Sequence, residues 1–460
     1  MLSPYAKTLT LAVACLFGGT ALAAQPAAAP ADTAAVSATA TDALTTRVFG
    51  LIDGSEKEVI DWRRHLHQHP ELAYQEEKTA AYVAEALRAM PGIEVQTGIA
   101  STGVKAVLRG GKPGPVVALR ADMDALPVPE QTGLPFASTA KGTWQGKEVP
   151  VSHACGHDAH VAMLLGAAKA LSAVQADLPG TVVFIFQPAE EIGPGAERPS
   201  GALAMVQAGV LDNPKVDVVF GQHIGAQGRS GTITYRPGAM LASIDVFHIT
   251  LKGKGGHGSS PWQASSPLLA AADTASALQN IVSHQTNPTI EGGATVVTVG
   301  MLQAGNRFNV LPDTAEIAGS VRALSEQNQK KVHEQIRLKA EHIAASHGVT
   351  ADVKIDTGGG YGQLVNDPAA TRAIVSGLES AAGAANVRER LPSMGSEDFG
   401  AFSSTGVPVA YWFLNASPNG DKPGAPNHSP QFVIDEGAMR IGTRALASAA
   451  ITYLQGGQAR

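Results

Sequence analysis

The stretch Val116-Val117-Ala118-Leu119-Arg120-Ala121-Asp122-Met123-Asp124 decides the fold class of this chain. It begins as a continuous apolar run, and similar runs recur at residues 181–186, 216–220 and 407–413. Runs of this kind are typical of strands in sheets that are covered on both faces, whereas half-exposed strands alternate apolar with polar residues. The chain is therefore predicted to fold as an α/β protein.

Segments with helical character lie between and after these strands. We predict helices over residues 56–66, 76–90, 160–173, 366–382 and 435–454. The last three of these would cover the sheet. Because 460 residues can bury more than one core, two domains are expected.

The pattern changes between about residues 243 and 356. The sequence predicts the order strand, helix, strand, strand, helix, strand over residues 244–252, 268–284, 295–302, 314–324, 328–347 and 350–356. This βαββαβ order is typical of a ferredoxin-like domain, in which helices pack on one antiparallel sheet. It interrupts a larger domain, which takes residues 46–242 and 357–460. One domain inserted in another creates a cleft, a usual place for a substrate site.

The N-terminus is predicted to be a signal peptide. Lys7 precedes an apolar run over residues 9–17, and Ala21-Leu22-Ala23 is an A-x-A cleavage pattern. The run is too short to span a bilayer as a permanent helix. We expect cleavage after Ala23, a periplasmic or secreted location and no stable membrane insertion. Residues 24–45, rich in Ala, Thr, Pro and Ser, are expected to be a disordered tether.

The composition gives no indication of a nucleic-acid or anionic membrane partner. Charged residues make up 16% of the chain and the formal net charge is −6, without a long run of either sign. Removal of the signal peptide would also remove Cys15 and leave Cys155 as the only cysteine, so that no intramolecular disulfide could form. A lone thiol in an oxidising compartment is a liability unless it is buried or coordinated.

The segment His153-Ala154-Cys155-Gly156-His157-Asp158-Ala159-His160 favours coordination. It brings one thiol and three imidazoles into a short turn before an apolar helix. Cys and His are ligands that divalent transition metals select. The alternative is a helix N-terminus capped by Asp158, with histidines that are simply solvated.

Polar residues also follow three of the predicted strands. Asp122 and Asp124 follow the first, Glu190 and Glu191 the second, and His223 the third. Ligands of doubly wound α/β sheets bind at the carboxyl ends of the strands. We therefore expect these side chains to meet the Cys155 turn at one edge of the sheet.

Short ordered blocks run from residue 62 almost to the C-terminus. They are Trp62-Arg63-Arg64-His65-Leu66-His67, Pro70-Glu71-Leu72, Leu119-Arg120-Ala121-Asp122-Met123-Asp124-Ala125-Leu126-Pro127, Cys155-Gly156-His157-Asp158, Gln187-Pro188-Ala189-Glu190-Glu191, Gly255-Gly256-His257-Gly258, Asn309-Val310-Leu311-Pro312-Asp313, Met394-Gly395-Ser396-Glu397-Asp398-Phe399 and His428-Ser429-Pro430. Together they resemble the amidohydrolase branch of the two-metal aminoacylase and carboxypeptidase family, which includes hippurate hydrolases and indole-acetyl-amino-acid hydrolases.

The resemblance implies a zinc-exopeptidase-like catalytic domain with a mixed sheet in α/β/α layers. It also implies two divalent metal ions per subunit, with Zn, Mn, Co and Ni all compatible. The implied metal ligands are Cys155, His157, Glu191, His223 and His428. Carboxypeptidase and dipeptidase relatives have His-x-Asp where this chain has Asp122-Met123-Asp124. Asp124 is therefore expected to orient an imidazole rather than to bind metal.

The same resemblance implies roles in catalysis. Glu190 matches the general base that takes a proton from metal-activated water and passes it to the leaving amine. His257 matches a histidine that reaches across a homodimer to stabilise the oxyanion. Asn309 and Arg322 match positions that hold the substrate carboxylate. The inserted domain, residues 243–356, is accordingly expected to serve as dimerisation surface and lid.

Two other groups of polar residues are interpreted as structural. His65, His67 and His69 are expected on a helix surface or in local packing, because only the first and third share a helical face. Ser396-Glu397-Asp398 is expected to line or support the site, since no order of residues suggests a Ser/His/Asp triad.

The sequence therefore predicts an exported metal-dependent amidohydrolase that cleaves the amide of small N-acyl or N-aminoacyl amino acids. A carboxypeptidase or dipeptidase with the same machinery is one alternative. A non-catalytic extracytoplasmic binding protein with this fold is another, although a binder would need neither Glu190 nor the full ligand set.

Overall fold

The computed structural model describes residues 38–456 of the chain. The predicted signal peptide, residues 1–23, and residues 24–37 lie outside the described residues. The prediction of a disordered tether is wrong for residues 38–45, which belong to helix α1 (Ala38–Gly54). Leu44, Val48 and Ile52 recur at helical spacing and are buried. This apolar stripe packs the helix against the core of the large sheet. The surrounding Ala- and Thr-rich composition led to the prediction of a disordered tether.

The remaining helices and the strands follow in chain order. The helices are α2 (Glu56–Gln68), α3 (Glu77–Arg88), α4 (His157–Ser172), α5 (Gly201–Gln207), α6 (Pro267–His284), α7 (Glu326–Ser346), α8 (Pro368–Ala382) and α9 (Gly437–Gly456). The strands are β1 (Ile93–Ile99), β2 (Gly103–Arg109), β3 (Lys112–Asp122), β4 (Lys141–Trp144), β5 (Lys147–Pro150), β6 (Pro179–Gln187), β7 (Val218–Gly225), β8 (Ile233–Tyr235), β9 (Gly238–Leu241), β10 (Asp245–Lys252), β11 (Gly256–His257), β12 (Thr295–Ala304), β13 (Val310–Leu311), β14 (Thr314–Ala323), β15 (Thr350–Asp356), β16 (Leu364–Asn366), β17 (Val387–Glu389) and β18 (Val409–Asn415).

The large sheet is mixed, with the strand order β1-β2-β6-β3-β7-β18-β8-β17. Its central strands β6, β3, β7 and β18 are parallel, and antiparallel pairs flank them. Along β3, Val117 and Leu119 pack into one hydrophobic core, and Ala118 packs into another. Both faces of the sheet are therefore buried, which explains the continuous apolar runs in the sequence.

Helices cover both faces of this sheet. Helices α1 to α4, α8 and α9 supply buried residues to the core on one face. Helix α5 and the 3-10 helix Asp398–Thr405 supply them on the other. The predicted α/β/α arrangement is confirmed. Within residues 38–456, no helix is both long and apolar enough to cross a membrane.

The second sheet lies within residues 243–356. Its strand order is β12-β14-β10-β15, and all neighbouring strands are antiparallel. Helices α6 and α7 pack against it around Phe247, Leu278 and Ile336, in a core separate from those of the large sheet. Order and pairing together form the ferredoxin-like βαββαβ unit that the sequence predicted.

Candidate metal centre

The carboxyl ends of the parallel strands carry the polar residues of the site. Asp122 is the last residue of β3, and Gln187, the last residue of β6, is its partner in register. His223 lies near the end of β7, the other neighbour of β3. Adjacent parallel strands end at the same edge of a sheet, so these segments meet there as expected.

Gly156 turns the chain into helix α4 and presents the residues on either side of it. Its φ is +92°, in the left-handed region, and an added Cβ would lie 2.6 Å from the side chain of Ile224. Only glycine fits both conditions. Asp158 does not cap the helix, and His153, His157 and His160 are buried. The alternative of a capped helix with solvated histidines is therefore wrong.

The residues expected as metal ligands converge in two groups that share Cys155. The ligand atoms of Cys155, His157 and His223 lie within 4.8 Å of one another, and those of Cys155, Glu191 and His428 do the same. Cys155 Sγ is 3.5 Å from His223 Nε2, and Glu191 Oε1 is 3.1 Å from His428 Nε2. Thiolate, imidazole and carboxylate donors in two adjoining sets suit a pair of divalent transition-metal ions.

Two imidazoles are oriented for coordination by their backbone contacts. His157 Nδ1 donates to the carbonyl oxygen of Asp124 at 2.8 Å, and His223 Nδ1 donates to that of Ile224 at 2.7 Å. The Nε2 atoms are thereby left with free lone pairs. His157 Nε2 is buried and has no hydrogen-bond partner. A metal ion would satisfy this atom, so the residues present fit the implied metals.

His160 is close to this group and is not available as a ligand. Its Nδ1 donates to Asp122 at 2.5 Å, and its Nε2 accepts the backbone N–H of Ile224 at 2.8 Å. Asp122 also accepts from Arg120 at 2.7 Å. Asp122, His157 and His160 also lie close enough to form a group. Because His160 and Asp122 are engaged with each other, with Arg120 and with Ile224, we interpret them as residues that position the ligands.

Asp124 connects the ligand turn with the acidic turn. Its backbone carbonyl orients His157, and its carboxylate accepts the backbone N–H groups of Glu190 and Glu191 at 3.1 and 2.8 Å. The shortest contact that orients the imidazole is thus made by the main chain, while the Asp124 carboxylate lies 3.4 Å from the same Nδ1 atom and accepts from the acidic turn.

Glu190 is buried beside other carboxylates. Burial raises the pKa of Glu190 well above its usual range, and the nearby Glu397, Glu191 and Asp398 add to the effect. Burial also raises the pKa of Asp398 to about 8, although the Arg120 guanidinium opposes this shift. A carboxylate whose proton affinity is raised in this way suits acid–base chemistry near neutral pH.

Two supporting residues were not assigned from the sequence. Arg120 donates to Asp122, Glu397 and Asp398 at 2.7 to 3.0 Å and is fully buried. A charge within an apolar strand was the signal that could have indicated this role. Tyr361 donates to the backbone carbonyl of Glu190 and accepts the N–H of Gly193 at 3.1 Å. No local pattern indicated it.

His67 has a structural role, as expected, but it lies in the interior and not on the helix surface. His67 is buried, with Nδ1 2.8 Å from Asp158 and Nε2 3.0 Å from Glu130. Arg63 also donates to Asp158 at 2.7 Å. This network fixes the first turn of α4, where His157 lies.

A cavity of about 1000 Å³ opens over the ligand groups. Its lining includes Cys155, Glu190 and His428, together with Arg322 from the inserted domain. Arg322 Nη1 donates to the carbonyl of Met394 at 2.9 Å and to Ser396 Oγ at 3.1 Å. Residues of the segment 243–356 and of the rest of the chain therefore line the same cavity.

His257 and Asn309 do not line this cavity. Both residues are exposed, and His257 lies in β11 opposite Val310. His257 Nδ1 accepts the backbone N–H of Ser259 at 3.1 Å. The single chain does not bring either residue to the ligand groups, so their assigned roles stay predictions.

Comparison with known proteins matches this geometry to a family. The model of peptidase family M20/M25/M40 matches residues 118–452. The chain is 42% identical over 316 residues to an N-acyl-L-amino acid amidohydrolase of Geobacillus stearothermophilus, covering 69% of this chain and 80% of that one. It is 39% identical over 406 residues to thermostable carboxypeptidase 1 of Saccharolobus solfataricus, covering 86% and 96%.

A solved structure extends the comparison to the fold. The YXEP protein of Bacillus subtilis, described as a dinuclear metal binding peptidase from the M20 family, superposes with a TM-score of 0.72 at 34% identity. The match covers 87% of this chain and 99% of that one. The chain therefore belongs to peptidase family M20/M25/M40 and is a metal-dependent hydrolase of amide bonds, as the resemblance implied.

Proposed function

We propose that this protein is a two-metal amidohydrolase that releases a free amino acid from an N-acyl amino acid. The observation that carries the proposal is the position of Cys155, which belongs to both ligand groups, beside Glu190 in a cleft lined by both domains. The similarity to the N-acyl-L-amino acid amidohydrolase supports this choice of substrate class.

The ligands would be Cys155, His157 and His223 for one ion and Cys155, Glu191 and His428 for the other. Bound there, divalent ions would lower the pKa of a water molecule and polarise the amide carbonyl. Glu190 accepts the proton of the attacking water and delivers it to the leaving amine. Asp124 keeps Glu190 and Glu191 in place through their N–H groups.

The substrate carboxylate is assigned to Arg322, which lines the cleft and offers a planar fork of donors. Asn309 is assigned to the same task, and His257 to the oxyanion. Because both are exposed and outside the cavity of their own chain, we assign them to the cleft of a partner subunit in a homodimer. The inserted domain would supply the dimer surface.

Carboxypeptidase activity is the second candidate. The similarity to thermostable carboxypeptidase 1 favours it, with the same residues cleaving a peptide bond next to a free C-terminal carboxylate. The two activities differ only in whether the group before the scissile bond is an acyl or an aminoacyl group.

Export to the periplasm or the medium is proposed from the N-terminal segment. The apolar run after Lys7 and the Ala21-Leu22-Ala23 pattern support cleavage after Ala23. N-terminal sequencing of protein expressed from the full chain should begin at Ala24. An intact Met1 and retention in the cytoplasm would contradict the proposal.

The substrate proposal is tested with purified protein and a panel of substrates. Metal analysis should give two divalent ions per subunit after reconstitution with Zn, Mn, Co or Ni. N-Acetyl and N-benzoyl amino acids should then be hydrolysed, with dipeptides as the comparison. Faster cleavage of dipeptides would favour the carboxypeptidase, and no cleavage of either class would refute the proposed function.

A further inference from the structure

The cleft contains a second arginine that none of the assigned roles uses. Arg390 lines the same cavity as Arg322 and the metal-ligand groups. Its side chain is half-buried, and its guanidinium lies over the ring of Phe413 with 4.4 Å to the ring centroid. Phe413 in turn lies beside the ligand His223, with 5.6 Å between ring centroids. Arg390 is therefore held on the wall of the cleft close to the metal centre.

The charge of Arg390 is not compensated by the described part of the chain. Its Nε donates only to the backbone carbonyl of the next residue, Leu391, at 3.3 Å. Burial lowers the pKa of Arg390, and no nearby carboxylate counters this shift. Burial likewise lowers the pKa of Arg322, and no nearby carboxylate of the described residues counters this shift.

The two fully buried arginines of the described residues are paired with carboxylates. Arg63 contacts Asp158 and Glu436, and Arg120 contacts Asp122, Glu397 and Asp398. Partial removal of a guanidinium from water without an anionic partner is unfavourable as well, to a smaller extent. Arg322 and Arg390 depart from this pattern, and both line the cleft. An anion that enters the cleft would provide the charged partner that both guanidinium groups lack among the described residues.

We infer that Arg390 binds a second carboxylate of the substrate, so that the preferred substrates are dianionic N-acyl amino acids. The inference rests on the proposed function, in which Arg322 takes the carboxylate of the amino acid. The second carboxylate belongs either to an acidic amino-acid side chain or to a dicarboxylic acyl group. The guanidinium of Arg390, stacked on Phe413, presents its remaining N–H groups to that carboxylate in a fixed fork.

The experiment compares acidic substrates with their neutral isosteres on the metal-loaded protein. N-Acetyl-glutamate against N-acetyl-glutamine tests the side chain, and N-succinyl-alanine against N-succinamoyl-alanine tests the acyl group. One acidic member should exceed its amide by at least ~10-fold in kcat/KM, the value of a charged hydrogen bond. The pair that shows the preference identifies where the second carboxylate lies.

Arg390→Gln should abolish this preference, so that the ratio of kcat/KM between the acidic member and its amide falls to about one. Arg388→Gln is the matched control, because Arg388 is an exposed arginine two residues away and does not line the cavity. It should keep the preference. Equal rates for both members of both pairs, or a preference that survives Arg390→Gln, would overturn the inference.

Calorimetric binding to metal-loaded Glu190→Gln protein separates this inference from the proposed function. If no compound is hydrolysed by the wild-type protein, the proposed function fails. The binding preference for the acidic member, and its loss on adding Arg390→Gln, would still support the second carboxylate site. Equal affinity for acid and amide would refute it.

Discussion

Cys155 is the residue on which the metal centre depends most, because its sulfur belongs to both ligand groups. Within these two groups each other ligand occurs once, although His157 and Glu191 also form a group with Glu190. Glu190 adjoins the ligand Glu191 in the chain, yet its carboxylate also groups with Glu397 and Asp398. In the proposed function Glu191 binds metal and Glu190 transfers the proton, so single substitutions at the two neighbouring residues test the two roles separately.

Cys155→Ser should reduce the retention of both metal ions. Burial and Glu191 raise the pKa of the Cys155 thiol, so the free site holds a neutral thiol that must ionise on binding. A serine hydroxyl does not ionise under these conditions and is a poorer ligand. Metal analysis after dialysis should find less than two ions per subunit. Unchanged stoichiometry and affinity would make Cys155 a buried packing residue.

Glu190→Gln should lower kcat by at least ~10²-fold, because the substitution removes the base while it preserves size. The metal content should stay at the wild-type value, since the ligand atoms are unchanged. Glu197→Gln provides the control, because Glu197 is an exposed residue of the following loop. Activity of Glu190→Gln near that of wild type would be incompatible with its role as general base.

The elements that carry the site were largely predictable. The central strands β3, β6 and β7 and helix α4 have apolar runs that follow from burial on both faces of the sheet. Helix α1 was missed because its stripe of Leu44, Val48 and Ile52 lies in an alanine-rich segment. Local sequence does not specify long-range contacts, and the role of Tyr361, far along the chain from Glu190, could not be predicted for that reason.

Gly156, which immediately precedes α4, allows a test of how this turn positions the ligands. Gly156→Ala would force a Cβ against Ile224 and strain a left-handed turn between two ligands. Gly406→Ala is the matched control, with φ of +82° and open space around the added atom. Both should lose about 1 kcal/mol of unfolding free energy from backbone strain. Only Gly156→Ala should also lose metal affinity, measured by calorimetric titration. Equal metal binding in both variants would contradict the positioning role of Gly156.

In the whole molecule, the cleft combines residues from both domains and leaves His257 and Asn309 outside. The inserted domain was predictable from the sequence, because strands β10 and β15 alternate between buried and more exposed residues and helices α6 and α7 each bury one face. It could not specify how two copies meet, since that depends on surfaces that no periodicity in one chain describes. The assignment of His257 to the partner's cleft therefore needs a test on the dimer.

Mixing two inactive variants provides that test. His257→Ala should fold, dimerise and bind metal, yet lose about 10²–10³-fold in kcat, as expected for one oxyanion donor. With Glu190→Gln as the second subunit, each mixed dimer has one cleft with both defects and one with neither. Free subunit exchange makes half of the dimers mixed, so recovery should approach roughly a quarter of the wild-type rate. Absence of recovery despite demonstrated exchange would place His257 in its own chain or outside catalysis.

The position of the thiol has a practical consequence for handling the protein. Cys15 and Cys155 are the only cysteines of the sequence, and the expected cleavage after Ala23 removes the first. On the proposed assignment the remaining thiol, Cys155, is a metal ligand, so bound metal would protect it from a small alkylating reagent and only metal-free chains would be modified. Because the thiol is buried and neutral, the modified fraction found by intact-mass spectrometry would give a lower limit on the metal-free fraction of a sample before any assay is run.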